Sequence, residues 1–263
     1  MKPFNPSQPN STAQQIISRH FYTENLYSLR STRPEEFVFK AGQYARLGLE
    51  IDGKMVWRAY SITSAPSDNR LDYLLVTVPG GQFTSELKKL EIGAQIYIDQ
   101  QSFGFMTPDR FVDGEILWMI ATGTGVGPFL AMLREPGLWQ QFTRLILVHG
   151  TRSVSESAHA DEFAAMAAHA PFAGTRASLT YLQAISGELM TADSAALPGR
   201  ITALLDNGAL ETAADQTLHV DQSRVMLCGN PAMIEDMRTR LHARQMRPCR
   251  RAAPGQFVTE NYW

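Results

Sequence analysis

Residues Arg58-Ala59-Tyr60-Ser61 combine side chains that could hold a flat, phosphorylated ligand. In a β-strand, Arg58 and Tyr60 project from one face, and Ala59 and Ser61 project from the other. An arginine can clamp a pyrophosphate, a tyrosine can stack on a planar ring, and a serine can offer a hydroxyl to a ring nitrogen. Taken alone, the tetrapeptide is more typical of an ordinary surface strand, so its meaning depends on the motifs that accompany it.

The loop over 80–84, Gly-Gly-Gln-Phe-Thr, is predicted to open a short helix over 85–90 with Thr84 as its N-cap. The free N–H groups and the dipole of a helix start attract anions. The alternative is a plain hairpin turn before a capped helix. Together with the Arg-Ala-Tyr-Ser strand, the loop favours a site for the pyrophosphate of a flavin dinucleotide.

Three alternating glycines, Gly123, Gly125 and Gly127, follow a buried apolar run over 115–121 and precede a helical pattern over 129–134. Glycines at such a turn let backbone amides approach a phosphate closely. The spacing differs from the G-x-G-x-x-G dinucleotide fingerprint. Because a tight turn alone needs fewer glycines, we favour nucleotide binding over a purely structural turn.

Two further segments could complete a site. Residues 228–231 read Cys-Gly-Asn-Pro at the end of a predicted strand, and Pro231 is placed to start a helix. The thiol of Cys228 is expected to face a cleft, although a free cysteine is more often a small buried hydrophobe. The chain ends on Tyr262-Trp263, and so aromatic an end is predicted to pack on the protein or to cover a flat ring.

Two patterns of secondary structure position these motifs. The first part of the chain has short β-branched and aromatic runs separated by turn signals, which are typical of a small antiparallel barrel. Its strands are predicted over 36–40, 44–51, 55–64, 71–78 and 94–98. Beyond residue 110, buried strands alternate with helices, which indicates a parallel sheet with a ligand cleft at its strand ends. These strands are predicted over 115–121, 144–149, 177–185 and 224–228, and the helices over 129–134, 160–168 and 232–245.

The composition excludes several classes of function. The 263 residues have a net charge of −2, 44% hydrophobic residues and 19% charged residues, as a globular protein does, and no bias towards nucleic acid. Two cysteines are too few for a disulfide framework or an iron–sulfur cluster, and six histidines show no metal-ligand spacing. With no secretory signal and no apolar run long enough to span a membrane, the protein is expected to be cytoplasmic.

The motifs R-A-Y-S, G-T-G-x-G-P, V-H-G-x-R, C-G-N-P and a terminal Y-W, in this order, resemble the plant-type ferredoxin–NADP⁺ reductase superfamily. The resemblance runs from about residue 16 to Trp263 and looks strongest to the bacterial ferredoxin/flavodoxin–NADP⁺ reductases. It implies a β + α/β fold: a six-stranded antiparallel FAD-binding barrel over 1–110, followed by a parallel-sheet NADP-binding α/β domain over 111–263.

The resemblance also implies roles for individual residues. Arg58 would contact the FAD pyrophosphate, Tyr60 would stack on the isoalloxazine, and Ser61 would lie near N5. Cys228 would lie beside the nicotinamide, and Trp263 would cover the flavin or its adenine, which with Ser61 makes three catalytic candidates. The other expected FAD contacts are Ala59, Leu74, Leu75, Val76, Thr77, Gln82, Phe83, Thr84 and Thr124. The expected NADP contacts are Gly123, Thr124, Gly125, Arg152, Ser186, Arg200, Cys228 and Gly229.

The chain departs from the family pattern at the 2′-phosphate of NADP. Relatives have a third arginine just after the position of Ser186, where this chain has Gly187-Glu188. A glycine cannot replace that contact, and a neighbouring carboxylate repels a phosphate. One lost charge-assisted contact is worth about 1–3 kcal/mol. We therefore expect a preference for NADP, but leave its strength open.

The implied activity is electron transfer between NADP(H) and ferredoxin or flavodoxin by a monomeric FAD enzyme, with hydride passing between nicotinamide C4 and flavin N5. Three alternatives stay open: an NAD(P)H:flavin reductase, a reductase subunit of an oxygenase, and a non-catalytic redox sensor. An arginine cluster could dock the acidic carrier, or could simply be a solvated helix face. Its members are Arg238, Arg240, Arg244, Arg247, Arg250 and Arg251.

Overall fold

The computed structural model of the protein describes residues 10–191, 194–250 and 253–261. Its first half contains six antiparallel strands: β1 (Ser11–Phe21), β2 (Leu26–Thr32), β3 (Tyr44–Ile51), β4 (Lys54–Ser61), β5 (Arg70–Val76) and β6 (Gln95–Phe103). They form one sheet in the order β4-β3-β6-β1-β2-β5. A bridge between Ile62 and Tyr73 joins the two edges of this sheet and closes it into a barrel.

Alternating side chains fill the barrel. On β3, Leu47, Leu49 and Ile51 all point into the same apolar cluster, as the two-residue repeat of a strand requires. The helix α1 (Gln82–Lys89) covers one end of the barrel and buries Phe83 and Leu87 in that cluster. The barrel therefore has a core of its own.

The second half is a parallel sheet flanked by helices. Its strands are β7 (Ile116–Thr122), β8 (Arg144–Thr151), β9 (Ser178–Ile185), β10 (Leu197–Pro198), β11 (Ser223–Gly229) and β12 (Phe257–Asn261), in the order β10-β9-β8-β7-β11-β12. Its helices are α2 (Gly127–Leu133), α3 (Pro136–Gln141), α4 (Ala160–Ala168), α5 (Ile201–Asp206), α6 (Ala209–Ala214) and α7 (Pro231–Ala243). The central strands are buried on both faces, as continuous apolar runs predict. Both halves of the predicted fold class are confirmed.

Two predictions for the barrel are wrong. Residues 36–40 form a turn and coil, although Phe37 and Phe39 are buried and so imitate the alternation of a strand. The Phe37 carbonyl accepts a hydrogen bond from Arg33 Nε at 3.1 Å, so it is satisfied without a strand partner. Thr84 is not an N-cap, because α1 begins at Gln82; its hydroxyl instead accepts a hydrogen bond from the Val78 N–H, which closes the preceding loop.

One apolar cluster joins the two halves of the molecule. Leu26 and Leu74 of the barrel pack in it together with Ala121, Val126 and Phe129 of the second half. This packing sets the ends of β7 and β11 against β2 and β5. None of the helices in the described part of the chain combines the length and the apolar character that crossing a membrane requires. The domain division at residue 110 stays a prediction.

Candidate functional site

Two cavities lie where the barrel meets the carboxyl ends of the parallel strands. The sheet-end cavity has a volume of about 690 Å³. It is lined by Thr23, Asn25, Leu26, Val76, Thr122, Gly123, Thr124, Gly150, Thr151, Arg152, Glu156, Ala184, Ser186, Gly199, Arg200, Ile201, Thr202, Asn230, Ala232, Met233 and Asp236. The barrel-side cavity has a volume of about 730 Å³. It is lined by Gln43, Tyr44, Ala59, Ser61, Ser102, Phe103, Gly104, Phe105, Met106, Thr259, Glu260 and Asn261.

Glycines let the turn after β7 touch the end of β11. A Cβ on Gly125 would lie 2.6 Å from the Cys228 carbonyl oxygen and 2.8 Å from the Gly229 Cα. Such distances to backbone atoms leave no room for a side chain at Gly125. The glycine turn therefore forms one wall of the sheet-end cavity and is held directly against the Cys-Gly-Asn-Pro segment.

Polar contacts fix the same two strand ends. The backbone N–H of Asn230 donates to Thr122 Oγ1 at 2.8 Å, and the Asn230 side chain caps α7 by accepting from the Ala232 N–H at 2.9 Å. The buried His149 donates from Nε2 to the Gly123 carbonyl oxygen at 2.9 Å. Burial lowers the pKa of His149 to about 4, so the imidazole is neutral and acts as a fixed donor behind the glycine turn.

The residues of the Arg-Ala-Tyr-Ser strand lie on the two faces of β4, as the sequence predicts. Ala59 and Ser61 line the barrel-side cavity. Ser61 is 5% exposed, and its hydroxyl has no hydrogen-bond partner in the described part of the chain. Tyr60 lies on the other face and stacks on Phe83 with ring centroids 6.0 Å apart; burial raises the pKa of Tyr60 to about 12. Arg58 is exposed and donates to the carbonyl of its neighbour at 2.8 Å.

The other expected FAD contacts are spread more widely. Val76 and Thr124 line the sheet-end cavity, whereas Leu74, Leu75 and Phe83 belong to the apolar core. Thr77 lies beside the cavity wall: its N–H donates to the Asn25 carbonyl oxygen at 2.8 Å. Like Ser61, Thr77 has a buried hydroxyl without a partner among residues 10–191, 194–250 and 253–261. Gln82 instead donates from its side chain to Asp52 at 3.0 Å.

The prediction that the Cys228 thiol faces the cleft is wrong. Cys228 has no exposed surface and packs in the apolar cluster that joins the two halves. Burial raises the pKa of this thiol well above its usual value, and the carboxylate of Glu260 on the paired strand β12 adds to the effect. A thiolate is therefore disfavoured at this position. Tyr262-Trp263 lies outside the described residues.

Five of the eight predicted NADP residues meet in the sheet-end cavity, whereas Gly125, Cys228 and Gly229 do not line it. Arg152 follows β8, Ser186 follows β9 and Arg200 precedes α5, and all three line that cavity with Gly123 and Thr124. Strand ends that neighbour one another in a parallel sheet bring these distant parts of the sequence together.

Glu260 is a site residue that sequence reasoning missed. It lies on β12 and lines the barrel-side cavity together with Ser61. Its Oε2 atom is buried without a partner within the described residues. Burial raises the pKa of Glu260 to about 7, so its proton is exchanged near neutral pH. The signal in the sequence was a single carboxylate among residues 253–263.

Replacing Glu260 by glutamine is expected to stabilise the protein by about 2 kcal/mol near pH 8 and to change little near pH 4. Because the pKa of this carboxyl is raised from 4.5 in the unfolded chain to about 7 in the folded protein, the folded state retains a proton that the unfolded state loses. Stability is therefore lost as the pH rises through this window. Urea unfolding at both pH values measures the effect, and Glu50→Gln at an exposed site of β3 is the control. Equal effects of the two substitutions at both pH values would contradict the assignment.

Comparison with known proteins agrees with this geometry. The family model described as "Oxidoreductase FAD-binding domain" matches residues 13–101, and the one described as "Oxidoreductase NAD-binding domain" matches residues 119–239. "Ferredoxin--NADP reductase A" of Sorangium cellulosum is 32% identical over 96% of this chain and 90% of its own length. "Flavodoxin/ferredoxin--NADP reductase" of Shigella flexneri is 37% identical over 92% of this chain and 94% of its own length.

A solved structure of a protein with a similar level of sequence identity also matches this fold. The ferredoxin NADP⁺ reductase of Neisseria gonorrhoeae, crystallised with bound FAD and NADP, matches this chain with a TM-score of 0.89 and 32% identity. The match covers 97% of this chain and 99% of that chain. The resemblance read from the motifs is thus confirmed along nearly the whole sequence: the chain belongs to the ferredoxin–NADP reductase family, whose members are oxidoreductases with an FAD-binding and an NAD(P)-binding domain.

Proposed function

We propose that the protein transfers electrons between NADP(H) and a one-electron carrier protein, ferredoxin or flavodoxin, through bound FAD. One observation carries the proposal: the barrel-side cavity and the sheet-end cavity both lie where the barrel meets the ends of the parallel strands. Each cavity contains residues of a motif that the sequence analysis had predicted to bind a ligand. Ser61 lines one cavity and the Gly123–Val126 turn lines the other. Relatives with matching sequence along both domains bear names of this activity. We further propose that the enzyme acts as a cytoplasmic monomer.

The residues present fit these ligands. The buried hydroxyls of Ser61 and Thr77 have no partner among the described residues, and buried polar groups are nearly always hydrogen-bonded in a complete complex. Both cavities have volumes within the range of about 300–1,000 Å³ that is usual for small-molecule sites. Gly123 lines the sheet-end cavity and has open space where a Cβ would lie, so this part of the wall carries no side chain that a dinucleotide would have to avoid.

Each residue then has a defined task. Bound FAD supplies the acceptor for hydride from nicotinamide C4 and passes the electrons on singly. Neither Arg58 nor Tyr60 lines either of the two cavities, so their roles follow the family resemblance: Arg58 would hold the FAD pyrophosphate by charge-assisted hydrogen bonds, and Tyr60 would pack against the ring system. The hydroxyl of Ser61, which is unpaired among the residues that the structure describes, would hold the ring by a hydrogen bond to its N5 atom. Trp263, which lies outside the described residues, keeps the role that the resemblance implies for it and would cover the flavin or its adenine.

The second domain binds and orients the nicotinamide nucleotide. Gly123 and Thr124 offer backbone groups beside the nicotinamide, and Arg152, Ser186 and Arg200 hold the phosphate at the adenosine end. Cys228 contributes a small apolar wall behind the glycine turn, since its thiol is buried and protonated. The chemistry therefore depends on positioning by these groups.

Docking of the carrier is expected to depend only moderately on salt. Arg238, Arg240 and Arg244 are each paired with a carboxylate, which reduces the charge that the arginine cluster offers to an acidic partner. The test is NADPH-driven reduction of cytochrome c through ferredoxin and through flavodoxin at low and high ionic strength. A flat salt response would rule out electrostatic docking.

A protein that reduced free flavin, but neither carrier, would be a flavin reductase and would contradict the proposed function.

A further inference from the structure

The adenosine end of the sheet-end cavity contains carboxylates as well as arginines. Glu156 and Asp236 line it together with Arg152 and Arg200. The proposed function uses the two arginines for phosphate and assigns nothing to the carboxylates. Glu156 is the more telling of the two, because it lies in the same loop after β8 as Arg152.

Backbone contacts hold the Glu156 carboxylate in this loop. Glu156 ends the short 3₁₀-helix Val154–Glu156, and its Oε2 atom accepts the backbone N–H of Arg152 at 3.1 Å. A second carboxylate, that of Glu188, accepts the backbone N–H of Val154 at 2.7 Å. Two negative groups therefore flank the segment that presents the Arg152 side chain.

The loop has little freedom to rearrange around a phosphate. The Gly187 N–H donates to the Arg152 carbonyl oxygen at 2.7 Å, which ties the loop after β9 to the loop after β8. A Cβ at Gly187 would lie 2.8 Å from that same oxygen. An additional cationic side chain at Gly187 is therefore excluded unless the two loops separate.

Carboxylate and guanidinium groups at this place favour different nucleotides. At the end of the second strand of a dinucleotide-binding sheet, a carboxylate accepts a hydrogen bond from the ribose 2′-hydroxyl of NAD, whereas an arginine accommodates the 2′-phosphate of NADP. Here Arg152 and Glu156 occupy one loop and line one cavity. A doubly charged phosphate is attracted by the first and repelled by the second.

We propose that Glu156 is a specificity-determining residue that hydrogen-bonds the ribose of NADH and opposes the 2′-phosphate of NADPH. The enzyme then accepts both nucleotides, with a modest preference for NADPH that Arg152 and Arg200 maintain. This inference rests on the proposed function, because it assigns the adenosine end of the same nucleotide site.

The test compares Glu156→Gln with the parent protein, both carrying FAD, by calorimetric titration with 2′,5′-ADP and with 5′-AMP. These two probes differ in the 2′-phosphate. The substitution is expected to tighten 2′,5′-ADP binding by about tenfold, or about 1.4 kcal/mol, and not to tighten 5′-AMP binding. The ratio of kcat/KM for NADPH to that for NADH should rise by a similar factor.

Glu91→Gln is the matched control, since it removes one carboxylate from an exposed position outside both cavities. Equal tightening by the control, or an unchanged ratio of 2′,5′-ADP to 5′-AMP affinity in Glu156→Gln, would overturn the inference and leave the proposed function intact. If the parent protein bound neither probe, both the inference and the proposed nucleotide site would be overturned.

Discussion

Gly229→Ala is expected to destabilise the protein by about 3 kcal/mol or more and to abolish turnover with NADPH. Gly229 has a φ of +129°, a conformation that an alanine rarely adopts. A Cβ there would lie 2.7 Å from the carbonyl oxygen of Thr122 and 2.9 Å from its backbone nitrogen. Backbone atoms at the end of a central strand cannot retreat, so β7 and β11 would have to separate at the wall of the sheet-end cavity.

Two other glycines provide controls for this prediction. A Cβ at Gly137, in α3, would have no atom within 4 Å, and the φ of this residue is ordinary, so Gly137→Ala should change stability by less than about 1 kcal/mol. Gly123 has a φ of +54° with open space around it, so Gly123→Ala should show about 1–2 kcal/mol of backbone strain alone. Urea unfolding and NADPH oxidation measure all three variants. A Gly229→Ala protein as stable as Gly137→Ala would contradict the contact between the two strand ends.

Arg134→Met is expected to destabilise the protein by about 3 kcal/mol, because Arg134 joins the barrel to the second half. Its Nη1 atom donates to the Thr63 carbonyl oxygen at 2.8 Å, and its Nε and Nη2 atoms donate to the two carboxylate oxygens of Glu162 at 2.8 Å each. Asp72 of β5 lies 3.8 Å away and is itself bound by Arg30. Methionine keeps much of the side-chain volume but leaves the Glu162 carboxylate and the Thr63 carbonyl without this donor, and it removes a positive charge close to Asp72.

The same contact predicts how acid unfolds the protein. Burial on its own raises the pKa of Glu162, but hydrogen bonds from His159 and Arg134 outweigh it and lower the pKa to about 2. A carboxyl with a lowered folded pKa contributes stability above its unfolded value of 4.5, and that stability is lost as the pH falls. Between about pH 5 and pH 3 the parent protein should therefore lose about 1 kcal/mol more than Arg134→Met, because His159 still lowers this pKa in the variant and the pair is partly exposed.

Lys89→Met provides the comparison for the arginine. It also replaces a cation by methionine, but Lys89 pairs with Glu86 on the exposed surface of α1. Such a pair contributes at most about 0.5 kcal/mol. If the two methionine variants lost stability equally at neutral pH and followed the same acid profile, Arg134 would not join the two halves as described.

The α/β half could be predicted well because its strands are buried on both faces. The run Ile116–Thr122 has no polar residue before its last position, and such a run has few alternatives to a central strand. The strand β1 was missed because Gln14 and Ile16 are its only two buried positions and one of them is polar, so β1 shows no apolar alternation. The alternation of Phe37 and Phe39 led to a strand being predicted where there is none, since coil packed on a core can show the same pattern.

Those parts of the site that a single sequence motif forms could be predicted. The glycine turn, Arg152 and Arg200 were expected to share a cavity, and they do. The orientation of Cys228 was not predictable, because it depends on which face of β11 the neighbouring elements cover. Glu260 could not be predicted as a site residue, because it reaches the barrel-side cavity only through the placement of β12 beside the strand that carries Ser61. No local pattern in the sequence contains that juxtaposition.

The central claim is that FAD held by this chain accepts electrons from NADPH and passes them to a carrier. Anaerobic stopped-flow mixing of the FAD-loaded protein with NADPH tests it most directly. We predict that the visible flavin absorbance is lost at a rate that saturates with NADPH concentration, and that it returns when oxidised ferredoxin or flavodoxin is added. A protein that retained no FAD, or whose bound FAD stayed oxidised with excess NADPH and with excess NADH, would contradict the account.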